Sequence, residues 1–267
     1  MKPEFWRENT ARFYDRAWDF SGGAVKGPIR YFPIVNFLKA FFALNAWRDS
    51  ERSLLEIGCA AGRFYEALRK TMPCSFRYEG LDISPHHLAR ALERYPDIKF
   101  HQRDALDSGL ASRGFDVVIA VDVVIHNWDV PALLAEWSRL TRHCLILAAR
   151  TMNGAPSVRA NQGREGVPYH IINLDVLQAW IDDLGPEFVL VLPYPAPSIE
   201  IGPDVYNLPD DFDPLKFGHH TFFIFKDLSD DAARFVRKVS ELVGKDPAVL
   251  WGSVAPAPAV TPPRRSG

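Results

Sequence analysis

The sequence predicts an α/β fold: a doubly wound, mostly parallel sheet with helices on both faces, preceded by an N-terminal helical extension. Three observations carry this. Short apolar runs alternate with amphipathic helical runs over residues 53–149, the pattern of strand–helix–strand units joined by right-handed crossovers. The first apolar run ends in a loop of small residues, 58–62, that opens into a helix. An acid, Asp82, closes the second run about twenty residues beyond Gly62, the spacing of a nucleotide-binding unit.

Each element follows from local pattern. Residues 53–57 form a first strand ended by Gly58, and Phe64, Ala67 and Leu68 mark a helix by their i, i+3, i+4 spacing. Residues 78–83 form a second strand. Ser84 caps the next helix, with Pro85 at its first position and Leu88, Ala91, Leu92 and Tyr95 as its buried stripe. A short third strand covers 98–101. The long apolar run 116–124 suits a central strand covered on both faces. Leu133, Trp137 and Leu140 give the following helix, and 144–149 a fifth strand. Asn173 caps a helix bearing Val176, Leu177, Trp180, Ile181 and Leu184. Strand-like runs at 187–192 and 221–225 flank a Pro- and Asp-rich insertion, 193–220, whose length marks a functional segment.

The domain plan is therefore a helical cap (1–50), a central domain (51–227), a C-terminal helix (228–253, with Ala232, Phe235, Val236, Val239 and Val243 inward) and a disordered tail (254–267). In the cap, 4–20 and 34–47 read as aromatic-rich helices joined by a Gly/Pro loop at 21–28. Phe5, Trp6, Phe13, Tyr14 and Trp18 serve as core or as a lid.

Composition narrows the function. The 267 residues are 47% hydrophobic and 24% charged, values of an ordinary globular protein. Lys and Arg number 31 against 33 Asp and Glu, a net charge of -2, which argues against a broad nucleic-acid or anionic-lipid surface. No stretch reaches the roughly 20 apolar residues of a spanning helix, and the charged N-terminus does not resemble a signal peptide. The three cysteines, Cys59, Cys74 and Cys144, suit a reducing cytoplasm. They are too few for a disulfide framework or a four-cysteine zinc site.

The run LLEIGCAAGRF (54–64) is the most informative. A pyrophosphate prefers a G-x-G-x-x-G loop. Here Gly58 and Gly62 enclose three residues, Cys59, Ala60 and Ala61, and the carboxylate of Glu56 precedes them. A carboxylate there suits a cation, and S-adenosylmethionine carries a sulfonium and an ammonium but no phosphate. Asp82 is placed to accept hydrogen bonds from a ribose diol. Asp104, after the third strand, lies on the same sheet edge, where open parallel sheets bind ligands.

On these residues the chain resembles the class I S-adenosylmethionine-dependent methyltransferases of the small-molecule type, with Ala60 in place of the usual middle glycine. The resemblance is best over 53–149 and extends to about 226. It implies a Rossmann-like sheet of seven strands with the last antiparallel. It also implies that Gly58, Cys59, Ala60 and Gly62 line the methionine part of the cofactor, with Asp82 at the ribose and Ile83 against the adenine. Asp104 would face the adenine amino group, and Ala105 would give a backbone contact. The run FDVVIAVDVVIHN (115–127) resembles the fourth strand and its sequel, which puts Val121 and Asp122 near the methionine moiety.

His126 and His170 are the candidate acid–base residues, with substrate positioning or a structural hydrogen bond as their ordinary reading. His219 and His220 read as strand-start residues, and His86 and His87 as solvated. The Asp-Asn pair of metal-dependent catechol-type members is missing after the fifth strand (Ala148-Ala149-Arg150-Thr151), so no metal is expected. The acceptor pocket is expected from the N-terminal helices, 151–170 and 193–220, with Arg159 and Arg164 available to an acidic acceptor. The expected reaction is methyl transfer to an oxygen or nitrogen of a small molecule by a monomer or homodimer. An NAD-dependent oxidoreductase and a non-catalytic cofactor-binding protein are the alternatives. A nucleic-acid or protein methyltransferase is disfavoured by the charge and by the lack of an Asn/Asp-Pro-Pro-aromatic run.

Overall fold

Strand β1 (Arg52–Ile57) is almost wholly buried and forms the middle of the sheet. It pairs in parallel with β2 (Phe76–Asp82) on one side and β4 (Phe115–Val121) on the other. Beyond β2 lies β3 (Lys99–Gln102), and beyond β4 lies β5 (Thr141–Met152), both parallel. The far edge is antiparallel. There β9 (Phe217–Phe225) runs against β5, and β8 (Phe188–Tyr194) runs against β9. These seven strands, in the order β3-β2-β1-β4-β5-β9-β8, match the expected sheet with its reversed last strand. The computed structural model describes residues 32–44, 51–72, 75–162, 167–194, 213 and 216–245. Residues 4–20 and 21–28, the cap aromatics, Cys74, Arg164, most of 193–220 and the tail lie outside them.

Alternation explains why both faces are covered. Leu55 and Ile57, Val118 and Ala120, and Leu145 and Leu147 point to one face. They bury against α4 (Val130–Leu140) and α5 (Leu174–Asp182) through Leu133, Trp137, Leu177 and Ile181. Leu54, Tyr78, Val117, Ile119 and Ile146 point to the other face. That face meets α1 (Phe32–Phe42), α2 (Arg63–Thr71) and α6 (Asp230–Lys245). From α1, Phe37 lies 4.1 Å from the Phe223 ring of β9, and Phe41 lies 5.7 Å from the Phe225 ring. Full burial of such a side chain is worth about 1.5–3 kcal/mol, so α1 is bound to the reversed strand.

The caps form as read. Ser84 Oγ accepts from His87 N at 3.1 Å, with Pro85 opening α3 (Pro85–Arg94). Asn173 caps α5 by accepting from Val176 N at 2.9 Å.

Several expectations change. Two strands, β6 (Val158–Gln162) and β7 (Val167–Asn173), form an antiparallel hairpin, and β7 continues the end of β5 by pairing with Thr151 and Met152. The fourth strand stops at Val121, because Asp122 takes φ +57° and Val124–His126 turn into a short 3-10 helix. Leu92 and Val176 are 46% and 40% exposed, so α3 and α5 have narrower buried stripes than their apolar residues suggest. His87 is buried rather than solvated, at 3% exposure.

The base of the sheet is tied by Asp116, whose Oδ2 accepts from Ser53 N at 2.8 Å and Ser53 Oγ at 2.9 Å. Arg142 Nη1 donates to its Oδ1 at 2.6 Å. Burial pushes the Asp116 carboxyl up, but these donors outweigh it and hold the pKa below the usual value. A depressed folded-state pKa stabilises above the unfolded pKa and is lost as pH falls through the folded one. Asp116→Asn should therefore cost about 1–3 kcal/mol at pH 7. In urea titrations its deficit against the parent should shrink in acid, below about pH 4; a deficit independent of pH would contradict the assignment.

Candidate functional site

The site lies at the carboxyl edge of the parallel strands, where β1, β2 and β4 end beside one another. The turn after β1 is possible because Gly58 (φ +71°) and Gly62 (φ +75°) adopt left-handed backbone. Ala60, at φ +45°, takes a similar conformation despite its side chain. The loop is drawn over the end of β2: Gly58 N and Cys59 N donate to Leu81 O at 2.7 and 3.1 Å. Gly80 leaves the space this requires, since a Cβ there would lie 2.8 Å from Cys59 Sγ.

Asp82 fixes the loop. Its Oδ2 accepts from Ala60 N at 2.9 Å, and its Oδ1 from Ser84 N at 2.9 Å. One carboxylate thus spans the β1 loop and the start of α3. Burial raises its pKa, while the Ser84 N–H, the His87 ring and the Ala60 N–H oppose that rise. Strand alternation puts Glu56 on the same face as Asp82, and the Tyr78 hydroxyl donates to Glu56 Oε2. Burial holds the Glu56 carboxyl well above its usual pKa; the Tyr78 bond lowers it and the Asp82 charge raises it. Two buried acids on one face, Asp82 held by two backbone N–H groups and Glu56 by the Tyr78 hydroxyl, form a site suited to a cation.

The other expected residues border this pair. Cys59 is buried, and desolvation with the charges of Asp82 and Glu56 pushes its thiol up, which makes it a packing residue and not a nucleophile. Ile83 is half-buried beside Asp82. Asp104 follows β3, where the neighbouring Arg103 N donates to Asp82 O at 3.1 Å. Its Oδ1 accepts from Leu106 N at 2.9 Å. The Ala105 carbonyl accepts from Trp137 Nε1 at 2.9 Å, which anchors this segment to α4. Val121 ends β4 on the Glu56 face, and Asp122 occupies the tight turn after it.

The two histidine candidates stand further along the same edge. His126 gives its Nδ1–H to Pro168 O at 3.0 Å. Burial pushes its pKa down to about 4; the Pro168 bond and the Asp122 charge raise it and the Arg150 charge lowers it. His170 lies inside β7, 5.6 Å from the Trp128 ring, with burial and Arg159 lowering its pKa to about 4. Both imidazoles are neutral at physiological pH.

Sequence reasoning missed a set of polar contacts at the ends of β5 and β9. Arg150 donates to the Tyr169 hydroxyl, with its guanidinium carbon 5.4 Å above the Tyr169 ring. Its Nη2 also lies 3.8 Å from Asp122 Oδ2. His219 Nε2 is 2.8 Å from Asp122 Oδ1. Thr151 Oγ1 and His220 Nδ1 are 2.8 Å apart. Nothing local in the sequence signals these contacts, because they join strands far apart in the chain.

A family model described as a methyltransferase domain matches residues 54–143. A probable S-adenosylmethionine-dependent methyltransferase of Mycobacterium tuberculosis is 28% identical over 143 residues, 52% of this chain and 50% of that protein. A similarly named protein of Mycolicibacterium smegmatis is 25% identical over 135 residues, half of each chain. The chain spans about half the length of the curated relatives it matches. Among solved structures, the cyclase SpnF aligns with a TM-score of 0.60 at 14% identity, over 84% of this chain and 97% of that one. A didemethyltoxoflavin N-methyltransferase of Burkholderia thailandensis aligns at 0.54 and 12% identity, over 84% and 88%. At these identities the structures share the fold alone.

A Cβ on Gly58 would sit 2.6 Å from Val123 Cγ2 and would enforce a strained φ. Gly58→Ala should destabilise the protein by about 1–3 kcal/mol. Adding Val123→Ala should restore the steric part and leave the backbone part. Thermal unfolding of the single and double variants checks this; equal stability of Gly58→Ala and parent would refute the tight approach.

Proposed function

We propose that the chain is a class I methyltransferase that binds S-adenosylmethionine and transfers its methyl group to an oxygen or nitrogen of a small-molecule acceptor. The observation that carries this is the Glu56–Asp82 pair under the glycine loop. The pair fits the cofactor's chemistry: an ammonium or sulfonium gains from buried carboxylates, and a pyrophosphate would be repelled by them. The same carboxylates disfavour a dinucleotide oxidoreductase.

Roles follow from position. Gly58, Cys59, Ala60 and Gly62 line the methionine part through their backbone, with Val121 and Asp122 opposite. Asp82 receives the ribose hydroxyls, which replace solvent on lone pairs left beside the Ala60 and Ser84 bonds. Ile83, Asp104 and Ala105 receive the adenine. When bound, S-adenosylmethionine supplies an electrophilic methyl on a sulfonium that is already a good leaving group. The protein's task is then to hold the acceptor in line with that methyl and to exclude water. His126 and His170, neutral and buried at the edge, position the acceptor. The unit acts as a monomer or homodimer, without nucleic acid. A cytoplasmic setting belongs to the proposal, consistent with the buried free thiols of Cys59 and Cys144. No helix among the described residues is long and apolar enough to cross a membrane.

A second reading is a protein that binds the cofactor without transferring its methyl group; a solved structure of this fold is named a cyclase, so the fold alone does not decide the chemistry. Retained binding with no labelled product from a metabolite extract would select it.

Two measurements test the cofactor site. Because burial keeps Glu56 protonated above its usual range, a cation binding there should expel its proton, so affinity should rise with pH until Glu56 ionises in the free protein. Calorimetry in buffers of different ionisation enthalpy should show proton release in the parent and none in Glu56→Gln. Asp82→Ala should weaken S-adenosylmethionine by about 1–3 kcal/mol; unchanged affinity in the folded variant would remove the ribose assignment.

A further inference from the structure

The hairpin at the carboxyl edge carries a cation that the cofactor site does not use. Arg159 of β6 and His170 of β7 are partners in register, so their side chains share one face of the hairpin. Trp128, two residues beyond His126, covers that face. Its ring lies 5.6 Å from the His170 ring, and the Arg159 guanidinium carbon lies 5.6 Å from its centroid. His170 is buried, whereas Trp128 is 37% exposed and Arg159 is exposed.

A guanidinium stacked on an indole is held flat by the ring and keeps its N–H edge for a ligand. Among the described residues Arg159 forms no ion pair. Its charge is not neutralised, and it reaches the His170 ring, where burial first and Arg159 second lower the pKa to about 4. His170 is therefore neutral, and the three side chains together present one full positive charge. One forked cation suits one carboxylate, whose two oxygens meet two parallel N–H groups. A phosphate dianion would keep a charge uncompensated.

The face stands close to the methyl-transfer edge. Val123, in the turn after β4, lies against Gly58 of the glycine loop. From Val123 the chain passes through the 3-10 turn at about 2 Å per residue and reaches Trp128 by two extended steps of about 3.5 Å, a path of about 13 Å in all. The hairpin is fastened to the same turn by the bond from His126 Nδ1 to Pro168 O.

We propose that Arg159, held on Trp128, is the contact that selects the methyl acceptor, by binding a carboxylate at the end of the molecule remote from the methylated atom. This rests on the S-adenosylmethionine reading above and names the acceptor class within it: a small hydroxy- or amino-carboxylate. His170 props the Trp128 ring, and the ring props the guanidinium.

The test uses the full chain with nitrogen-15 in its indoles, the Trp128 resonance being assigned by its loss in Trp128→Phe. The probe is para-hydroxybenzoate, a phenol with a carboxylate at its far end, titrated with and without S-adenosylhomocysteine. It should move the Trp128 resonance saturably in the parent and bind Arg159→Gln about tenfold more weakly. Arg159→Lys should fall between them, since it keeps the charge and loses the fork. The methyl ester of the probe should leave the resonance in place, and inorganic phosphate should bind more weakly than the carboxylate. S-adenosylhomocysteine should bind Arg159→Gln within about threefold of the parent. With S-adenosylmethionine bearing a trideuterated methyl and a small-metabolite extract, the labelled products of the parent should carry a carboxylate. For the acceptors so identified, Arg159→Gln should raise KM about tenfold and nearly keep kcat, a split that a structural role would not give. Equal titration of the parent and Arg159→Gln, tighter binding of phosphate, or labelled products without a carboxylate overturn the proposal. Failure of the parent to bind S-adenosylhomocysteine, with the Arg159-dependent titration retained, instead overturns the cofactor reading beneath it.

Discussion

The Asp82 carboxylate is the contact on which the site's shape depends. A loop of glycine and alanine has little to hold it in place, since small side chains bury little and left-handed backbone has many alternatives in the unfolded chain. Asp82 removes that freedom by accepting from Ala60 N and Ser84 N at once, which ties the exit of β1 to the entry of α3. The cost is a charged group taken from water, visible as an upward push on its pKa. Backbone donors and the nearby His87 offset the cost because they are aimed before any ligand arrives. The edge is therefore organised in advance, and a ligand needs only to complete it.

Glu56 depends on the same arrangement. An isolated carboxylate on a central strand would be expelled or neutralised. Tyr78 gives it one donor, and burial keeps its proton affinity high. A bound cation then has a larger effect here than on an exposed acid, because the gain is taken against a destabilised ground state.

Much of this was legible in the sequence. β1 and β4 carry apolar runs that end at Gly58 and Asp122, β2 ends at Asp82, and Ser84 and Asn173 announce their helices through capping chemistry. The β6–β7 hairpin was not, since VRANQ alternates weakly and Pro168 interrupts VPYHIIN, a residue that argues against a strand. That proline is tolerated at the rim, and its carbonyl receives His126. Leu92 and Val176 misled because apolar residues inside a helical pattern are read as buried, although folded surfaces keep much apolar area. The polar cluster was illegible for another reason: Asp122 and His219 are 97 positions apart, and the strand register that joins them is a property of the whole sheet.

The reversal of β9 explains why the cluster exists at all. Its sequence, FGHHTFFIF, is polar in its first half and aromatic in its second. A parallel strand would deliver Phe223 and Phe225 to the carboxyl edge and push His219 and Thr221 to the base. Running antiparallel, β9 sets Phe225 opposite Cys144 and His219 opposite Arg150. The aromatic half then meets Phe37 and Phe41 of α1, and the polar half reaches the glycine loop's side of the molecule. The direction of one strand thus decides which end of β9 lies at the polar edge and which lies in the core. It also makes β5 overlong: its final residues must extend far enough to meet β9, and Thr151 and Met152 then pair with β7 as well. The hairpin follows from that extension, and through Tyr169 it fixes the guanidinium that stands beside Asp122.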